Sequence, residues 1–547
     1  MTLHLTPTDA VPPDTAAAAA KAFRKGNLYV RMRDRFGSIF TDQDFAALYP
    51  RRGQPGYAPW RLALVTLVQY LEHLSDEQAA EQVRARIDLK YLLGLEVGNA
   101  GFDASVLSEF RSRLVAQQAE TLLFDRLLER LHQEGLVVPG GPVRTDATQV
   151  LAAVRRLNRL ALVRETLRHT LNDLARVAPD WLLTVAEPAW VARYEQRSEN
   201  ERLPKKPGER EELTRTIGRD GSQLLTALDA PTAPAWLREI PAVQVLRRVW
   251  IEQDTWEEER MRFRTPDELP PCGQAIASPY DPEARRSWKR GVEWVGRKSH
   301  LSESCGERGP HLLRATASTA ATTPDGQELD ALQQAMRAAD LPPDHHLVDG
   351  GYIDADHVVT SQQQGITLIG PLARDTSWQA QTPDAFPLSA FAIDWERQTV
   401  RCPAGEQSVR WTAKRRASGT EVIVVLFSQQ QCQACALKDR CTTTGRRQLM
   451  LRPQAQHEAL QQARAIQQAG QEDPRSALRA GIEGTISQAV RRCDLRHCRY
   501  RGDPKARFQT ASTGAALSYL RTAESLAGHT PASTRRSRFA RLFDQAA

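Results

Sequence analysis

A short apolar run, Leu347-Val348, leads into Asp349, and Gly350, Gly351 and Tyr352 follow it. A carboxylate placed so stands at the edge of a sheet, where the glycines let the backbone turn at once. Alone such an Asp is more often a turn residue or helix cap than a ligand. Its weight comes from two companions: Asp146 in Val143-Arg144-Thr145-Asp146-Ala147-Thr148, and Glu483 in Gly481-Ile482-Glu483-Gly484-Thr485. Together they offer Asp, Asp and Glu from two strands and a helix, the set that a two-metal phosphoryl-transfer site requires. Mg²⁺ and Mn²⁺ take oxygen ligands, so one or two carboxylates per ion suffice. Two such ions about 3.5–4 Å apart can activate an attacking oxygen and steady the leaving one. Without cations, three crowded carboxylates repel, so they should spread apart or hold a proton.

Arg479 precedes Glu483 by four residues and shares its side of a helix if that helix is continuous. It could orient Glu483, hold a phosphate, or form an ordinary surface pair. Gly481 and Gly484 flank the glutamate. In a helix each costs about 1 kcal/mol relative to Ala, which implies that backbone or DNA comes close.

Cys402, Cys432, Cys435 and Cys441 make a second constellation, with a CxxC knuckle at Cys432-Gln433-Ala434-Cys435 and a turn at Cys402-Pro403-Ala404-Gly405. Four thiolates on turns between short strands suit a closed, structural Zn²⁺ site. Unliganded thiols and a redox pair are the alternatives. Cys272, Cys305, Cys493 and Cys498 show no ligand spacing, and His345-His346 reads as a loop or strand-edge pair.

Downstream of Glu483, Arg491, Arg492, Arg496, Arg499, Arg501, Lys505 and Arg507 stand against only Asp494 and Asp503. This is either a phosphate-binding track or a solvated face. Arg111 and Arg113 lie on a helix whose other side carries Leu107, Phe110 and Leu114, and the same two readings apply.

The elements that must position these groups follow from the wider pattern. A chain of 547 residues holds two to four domains. Its net charge of +7 and pI near 9.0 suit a polyanionic partner. No apolar run is long enough to cross a membrane, and Met1 to Ala20 lacks the form of a signal peptide. Eight cysteines in so long a chain do not make a disulfide scaffold, and clustering of four in a reducing compartment points to metal rather than bridges, so a cytoplasmic protein is expected.

Residues 1–26 read as a flexible tail and 27–135 as a helical domain, with Pro59 in a first turn and a capping box at Ser75 and Gln78. A helical insertion spans 154–269, broken by an exposed loop at Arg197 to Glu212. A β-rich insertion with the four cysteines spans 391–445, and 526–547 is a basic tail carrying Arg535, Arg536, Arg538 and Arg541. What remains (136–153, 270–390 and 446–525) reads as strand, two strands, helix, strand and helix. That order fits an α/β, RNase H-like catalytic core interrupted twice.

At these residues the sequence resembles the DDE transposases of bacterial insertion sequences, in particular the group numbered eleven-eighty-two. The resemblance runs through Gly94-Leu95, Ser105 to Leu114, Thr145-Asp146-Ala147-Thr148, Ser278 to Arg285 and Trp294-Val295-Gly296. It continues in Val348 to Tyr352, Ile482 to Gln488 and Arg499-Tyr500-Arg501-Gly502. It implies two divalent ions on Asp146, Asp349 and Glu483, and DNA cleavage and strand transfer at terminal inverted repeats. It further implies transposon-end and target duplexes as partners, a homodimer on DNA, and a place at the bacterial nucleoid. Arg297 stands where the group has Tyr before Lys, Ser476 where related families place a Tyr, and the basic residue after Glu483 is shifted to Arg491. A catalytically decayed DNA-binding protein and an RNase H-like nuclease without strand transfer are the rival readings.

Overall fold

The computed structural model describes residues 2, 3, 5, 10–50, 52–154, 157–198, 204, 206–257, 260–306, 309–417, 419–470 and 473–529. Its centre is a mixed sheet built from β1 (Pro142–Leu151), β2 (Arg285–Lys289), β3 (Val292–Ser304), β4 (Leu313–Ala320), β5 (His345–Leu347) and β6 (Thr367–Ile369). β3 runs antiparallel to β1, with Asp146 opposite Leu301, while β2 and β4 share the other edge of β3. β5 and β6 continue the sheet beyond β1, both parallel.

Alternation along β1 assigns its side chains to two layers. Val143 and Ala147 pack with Leu329, Leu332, Met336 and Tyr352 under the helix Leu329–Ala338. Arg144, and by alternation Asp146, face the other layer, where Arg144 bonds Leu478 O in the segment Pro474–Gly481 that leads into the helix Ile482–Cys493; the helix Asp503–Leu526 also packs on this sheet. Ser299 and Leu313 of β3 and β4 bond to Thr510 and Ser518 of the second of these helices. At Gly514 a Cβ would meet Thr316 at 2.7 Å and Phe124 at 3.3 Å, so only glycine lets that helix seat between the sheet and Leu122–Gln133.

The N-terminal helices do not close a core of their own. Trp60, Leu64, Leu67, Phe110 and Leu127 belong to the same buried cluster as Phe508, Leu517 and Tyr519. The local signals place the helix ends well. Pro59 opens Pro59–Glu72, Ser75 and Gln78 form the reciprocal capping box of Asp76–Ala85, and Asp103 accepts from the backbone of Ser105.

The expected N-terminal tail is corrected. Pro13–Ala22 is a helix, with Thr15 and Ala19 buried and the Thr15 hydroxyl donating to Leu95 O at 2.8 Å. An alanine run behind a first-turn proline favours helix, and a one-turn spacing aims both residues at the same neighbour. The exposed loop ends earlier than expected, because Pro207 starts the helix Pro207–Asp229. The helical insertion has its own core, including Leu167, Ile217, Leu246 and Trp250. The four arginines of the basic tail lie outside the described residues.

Candidate active site

β1 delivers Asp146 from its middle, and the chain passes Asp349 two residues beyond the adjacent parallel strand β5. Each carboxylate takes a local backbone donor: Ala147 N to Asp146 Oδ1 at 2.7 Å, and Gly351 N to Asp349 Oδ1 at 2.9 Å. Burial pushes the Asp146 carboxyl up to about 6. The Ala147 N–H opposes this, the Asp349 charge adds to it, and Lys289 and Arg479 pull the other way. The two aspartates therefore share one electrostatic site, with two cations close enough to bear on it.

Two groups that sequence reasoning missed complete this corner. A Cβ on Gly351 would lie 3.1 Å from Asp349 Oδ1 and 3.4 Å from Asp325 Oδ2, so both carboxylates flank one glycine. Lys298, on β3, donates to Asp325 Oδ1 at 2.8 Å and to Thr323 O at 2.7 Å. Beneath them the Tyr352 hydroxyl meets His300 Nδ1 at 2.5 Å, and burial drives the His300 ring down to about 4, so it is neutral. Strand alternation could have flagged Lys298, since it points opposite to Arg297. Nothing in the run Thr323-Pro324-Asp325-Gly326 marks Asp325 as more than a turn residue.

Glu483 lies in the first turn of Ile482–Cys493 and is exposed. Among the described residues, no three His, Cys, Asp or Glu side chains are gathered closely enough to hold a metal ion. Asp146, Asp349 and Glu483 therefore do not close into a ligand cluster. The continuous helix expected through Arg479 is corrected too. Pro474–Gly481 is a 3₁₀ segment, and the α-helix starts only at Ile482. Three residues per turn replace 3.6, so the four-residue spacing no longer stacks Arg479 on Glu483; Arg479 acts on Asp146 instead. Gly481 meets a close approach, but from a side chain: a Cβ there would sit 1.9 Å from Arg144 Nη1. Gly484 faces open space.

The four cysteines line one small cavity of about 40 Å³ with Phe386, Phe427 and Leu437. Leu437 N donates to Cys435 Sγ at 3.4 Å. Burial pushes the Cys441 thiol up, Arg447 opposes this, and the other three sulfurs add to it. Cys305, Cys493 and Cys498 are buried elsewhere, and Cys272 is exposed. His346 is no strand-edge residue: it is fully buried, with Nε2 2.6 Å from the Thr145 hydroxyl.

The arginines divide. Arg111 is buried, forked onto Asp76 at 2.7 and 3.2 Å and stacked on Tyr500 at 4.8 Å, which removes it from any DNA surface. Arg499 is likewise occupied, donating to Leu74 O at 3.0 Å over the Tyr70 ring. Arg113 rests on Tyr49, Arg496 donates to Gln149 O, and Arg501 lies over Tyr280. Arg491 and Arg492 are exposed on the last turn of the Glu483 helix, and Lys505 is half-buried.

Residues 18–113 match the family described as a transposase domain (DUF772), and residues 401–518 match the family described as a transposase DDE domain. The second match takes in Glu483 and all four clustered cysteines, while Asp146 and Asp349 lie outside it. No curated protein and no solved structure matches the chain.

Proposed function

We propose that this DDE transposase, a DNA-cleaving and phosphoryl-transferring enzyme by its two domain matches, works through Asp146, Asp349 and Glu483 at the terminal inverted repeats of an insertion sequence. The observation that carries the reading is the pairing of Asp146 with Asp349. Their strands are adjacent and parallel, and the charge of one raises the proton affinity of the other. The strand order β4-β3-β1-β5-β6, with the first three antiparallel and the last three parallel, supports an RNase H-like core. We assign the chain to the group numbered eleven-eighty-two on the motifs quoted above.

DDE transposases generally use divalent metal ions. The donors here fit Mg²⁺ or Mn²⁺, being hard carboxylate oxygens, one of which stays protonated up to about pH 6. Asp146, Asp349 and Glu483 would hold two such ions, and these supply activation of the attacking oxygen and stabilisation of the leaving one. The chain's own groups do the rest. Asp146 must release its proton before it can serve as a ligand. Arg479 and Lys289 offer positive charge to the phosphate beside it. Arg491 and Arg492 extend that charge along the DNA path. The substrate is duplex DNA, first the transposon ends and then the target, bound by two copies of the chain at the nucleoid. In the 391–445 insertion the four cysteines share the lining of one cavity, which supports a structural Zn²⁺ there, although the sulfurs would have to draw closer together to hold it.

The test is cleavage of DNA carrying the element's own ends, with Mg²⁺ or Mn²⁺, comparing wild type with Asp349→Ala and Glu483→Gln. Cuts and joined products by wild type alone are expected. Full activity of either variant refutes the assignment, and cuts without joined products leave a nuclease.

A further inference from the structure

We propose that the buried Arg144–Glu303–Arg521 cluster sets the Glu483 helix in register with the Asp146 strand, and that residue 481 is glycine to admit it. This rests on the assignment of Asp146 and Glu483 above. Glu303 is wholly buried on β3. Its Oε1 accepts from Arg144 Nε at 2.7 Å and Nη2 at 2.6 Å. Its Oε2 accepts from the Thr485 hydroxyl at 2.6 Å and from Arg521 Nη1 at 2.5 Å. Arg144 Nη1 goes on to Leu478 O at 2.8 Å, and Arg521 to Thr485 Oγ1 at 2.7 Å and Gln488 Oε1 at 3.0 Å.

Asp146 lies two positions after Arg144, and Thr485 lies two positions after Glu483. The cluster is therefore anchored in β1, β3 and the helix Asp503–Leu526, and through Leu478, Thr485 and Gln488 it holds the segment that carries Glu483. The later turns of that helix are held in the core by Ala489 and Cys493, and its start is held less. None of Pro474–Gly481 is buried, and the helix begins with only Ile482 and Thr485 buried in its first turn. An exposed glutamate in such a turn is aimed by where its helix sits, and ligand geometry tolerates displacements of only about 0.5 Å. A carboxylate saturated by four donors fixes that placement, since shifting the helix strands buried charge.

Gly481 follows from the same geometry. A Cβ would lie 1.9 Å from Arg144 Nη1 and 2.4 Å from its Cζ. An arginine in water swings away from a methyl group freely; this one is tied to Glu303 and Leu478 and cannot move without breaking both bonds. Glu303, its two arginines and Thr485 are positioning residues: they touch neither substrate nor ion.

The experiment compares wild type, Thr485→Val, Thr485→Ser, Gly481→Ala and Glu483→Gln in the full-length chain. It reads Mn²⁺ affinity by electron paramagnetic resonance of the free ion, the Mn²⁺ needed for half-maximal end cleavage, end-DNA binding, and melting temperature. Thr485→Val and Gly481→Ala should weaken Mn²⁺ affinity and raise the Mn²⁺ requirement about tenfold, with end binding within about twofold of wild type. Thr485→Ser should restore both. If Thr485→Val and Gly481→Ala only lower the melting temperature, with the Mn²⁺ readouts unchanged while Glu483→Gln is inactive, the cluster is merely structural and the proposal fails alone. If Glu483→Gln cleaves like wild type, the catalytic assignment fails and takes this proposal with it.

Discussion

Arg297 grips both oxygens of Asp281, at 2.8 and 2.7 Å, with both side chains out of contact with solvent. Arg297 is one of the residues that depart from the resembled motifs, and Asp281 belongs to the signature run Ser278 to Arg285. Arg297 also pairs with Asp503, at the start of the long C-terminal helix. The neighbouring Tyr280 hydroxyl bonds to Glu165 and Arg168 of the helical insertion, and Arg501 lies over its ring. The signature is thus a junction where sheet, insertion and C-terminal helix meet.

Removing one partner of that pair leaves a buried charge uncompensated. Arg297→Ala should cost about 3–5 kcal/mol, and Arg297→Met with Asp281→Leu together much less than either alone predicts. Urea unfolding of the two variants checks this. Equal losses in both would mean that packing, and not charge, decides at this site.

Asp146 makes stability depend on pH in a stated direction. Its folded value, about 6, lies above the ordinary 3.8. The neutral form is thus favoured by the fold, and its contribution is complete below pH 4 and lost as pH rises through 6. The metal-free protein should lose on the order of 2 kcal/mol across that window, after allowance for solvent screening. Melting curves of wild type and Asp146→Asn between pH 4 and 7 should diverge accordingly. Mn²⁺ affinity should run the opposite way, tightening up to about tenfold per pH unit below 6 and levelling off above.

Exposed and buried arginines should separate cleanly. Arg492→Ala should weaken DNA binding and reduce the salt slope by about 1, with no change in melting. Arg111→Ala should destabilise the fold by on the order of 2–3 kcal/mol through loss of its Asp76 fork and Tyr500 stacking. Salt titrations of affinity alongside thermal melts distinguish the two, and a salt-slope change for Arg111→Ala at unchanged stability would contradict its structural role.

The cysteine cavity predicts one zinc per chain by elemental analysis of protein purified without added metal. Stripping it with a chelator, or changing Cys432 to Ser, should unfold the 391–445 region while leaving the far-ultraviolet signal of the helical regions largely intact. Absence of zinc, with a free-thiol count of eight in native protein, would return the four sulfurs to unliganded thiols.

What the sequence made legible was local or periodic. The Ser75–Gln78 box and the Pro59 helix start need only sequence neighbours. The adjacency of Asp146 and Asp349 was within reach because the order of elements constrains strand order. Destinations of long side chains were not. Arg111 reaches Asp76 and Arg499 reaches Leu74, partners fixed only once the helices have packed. The change from 3₁₀ to α-helix before Glu483 was also hidden: the carbonyl of Leu478 in that segment is bonded by Arg144, 334 residues away in sequence.

The cluster joining Trp60 and Leu64 to Leu517 and Tyr519 bears on how the enzyme comes into being. The first helices leave the ribosome with their apolar faces bare, and their cover is written more than 450 residues later (517 − 60). Their core cannot close until the helix that carries Leu517 and Tyr519 has been made. Premature termination anywhere before about residue 520 would then yield unfinished protein fit for proteolysis, and not a free DNA-binding fragment competing for the element's ends.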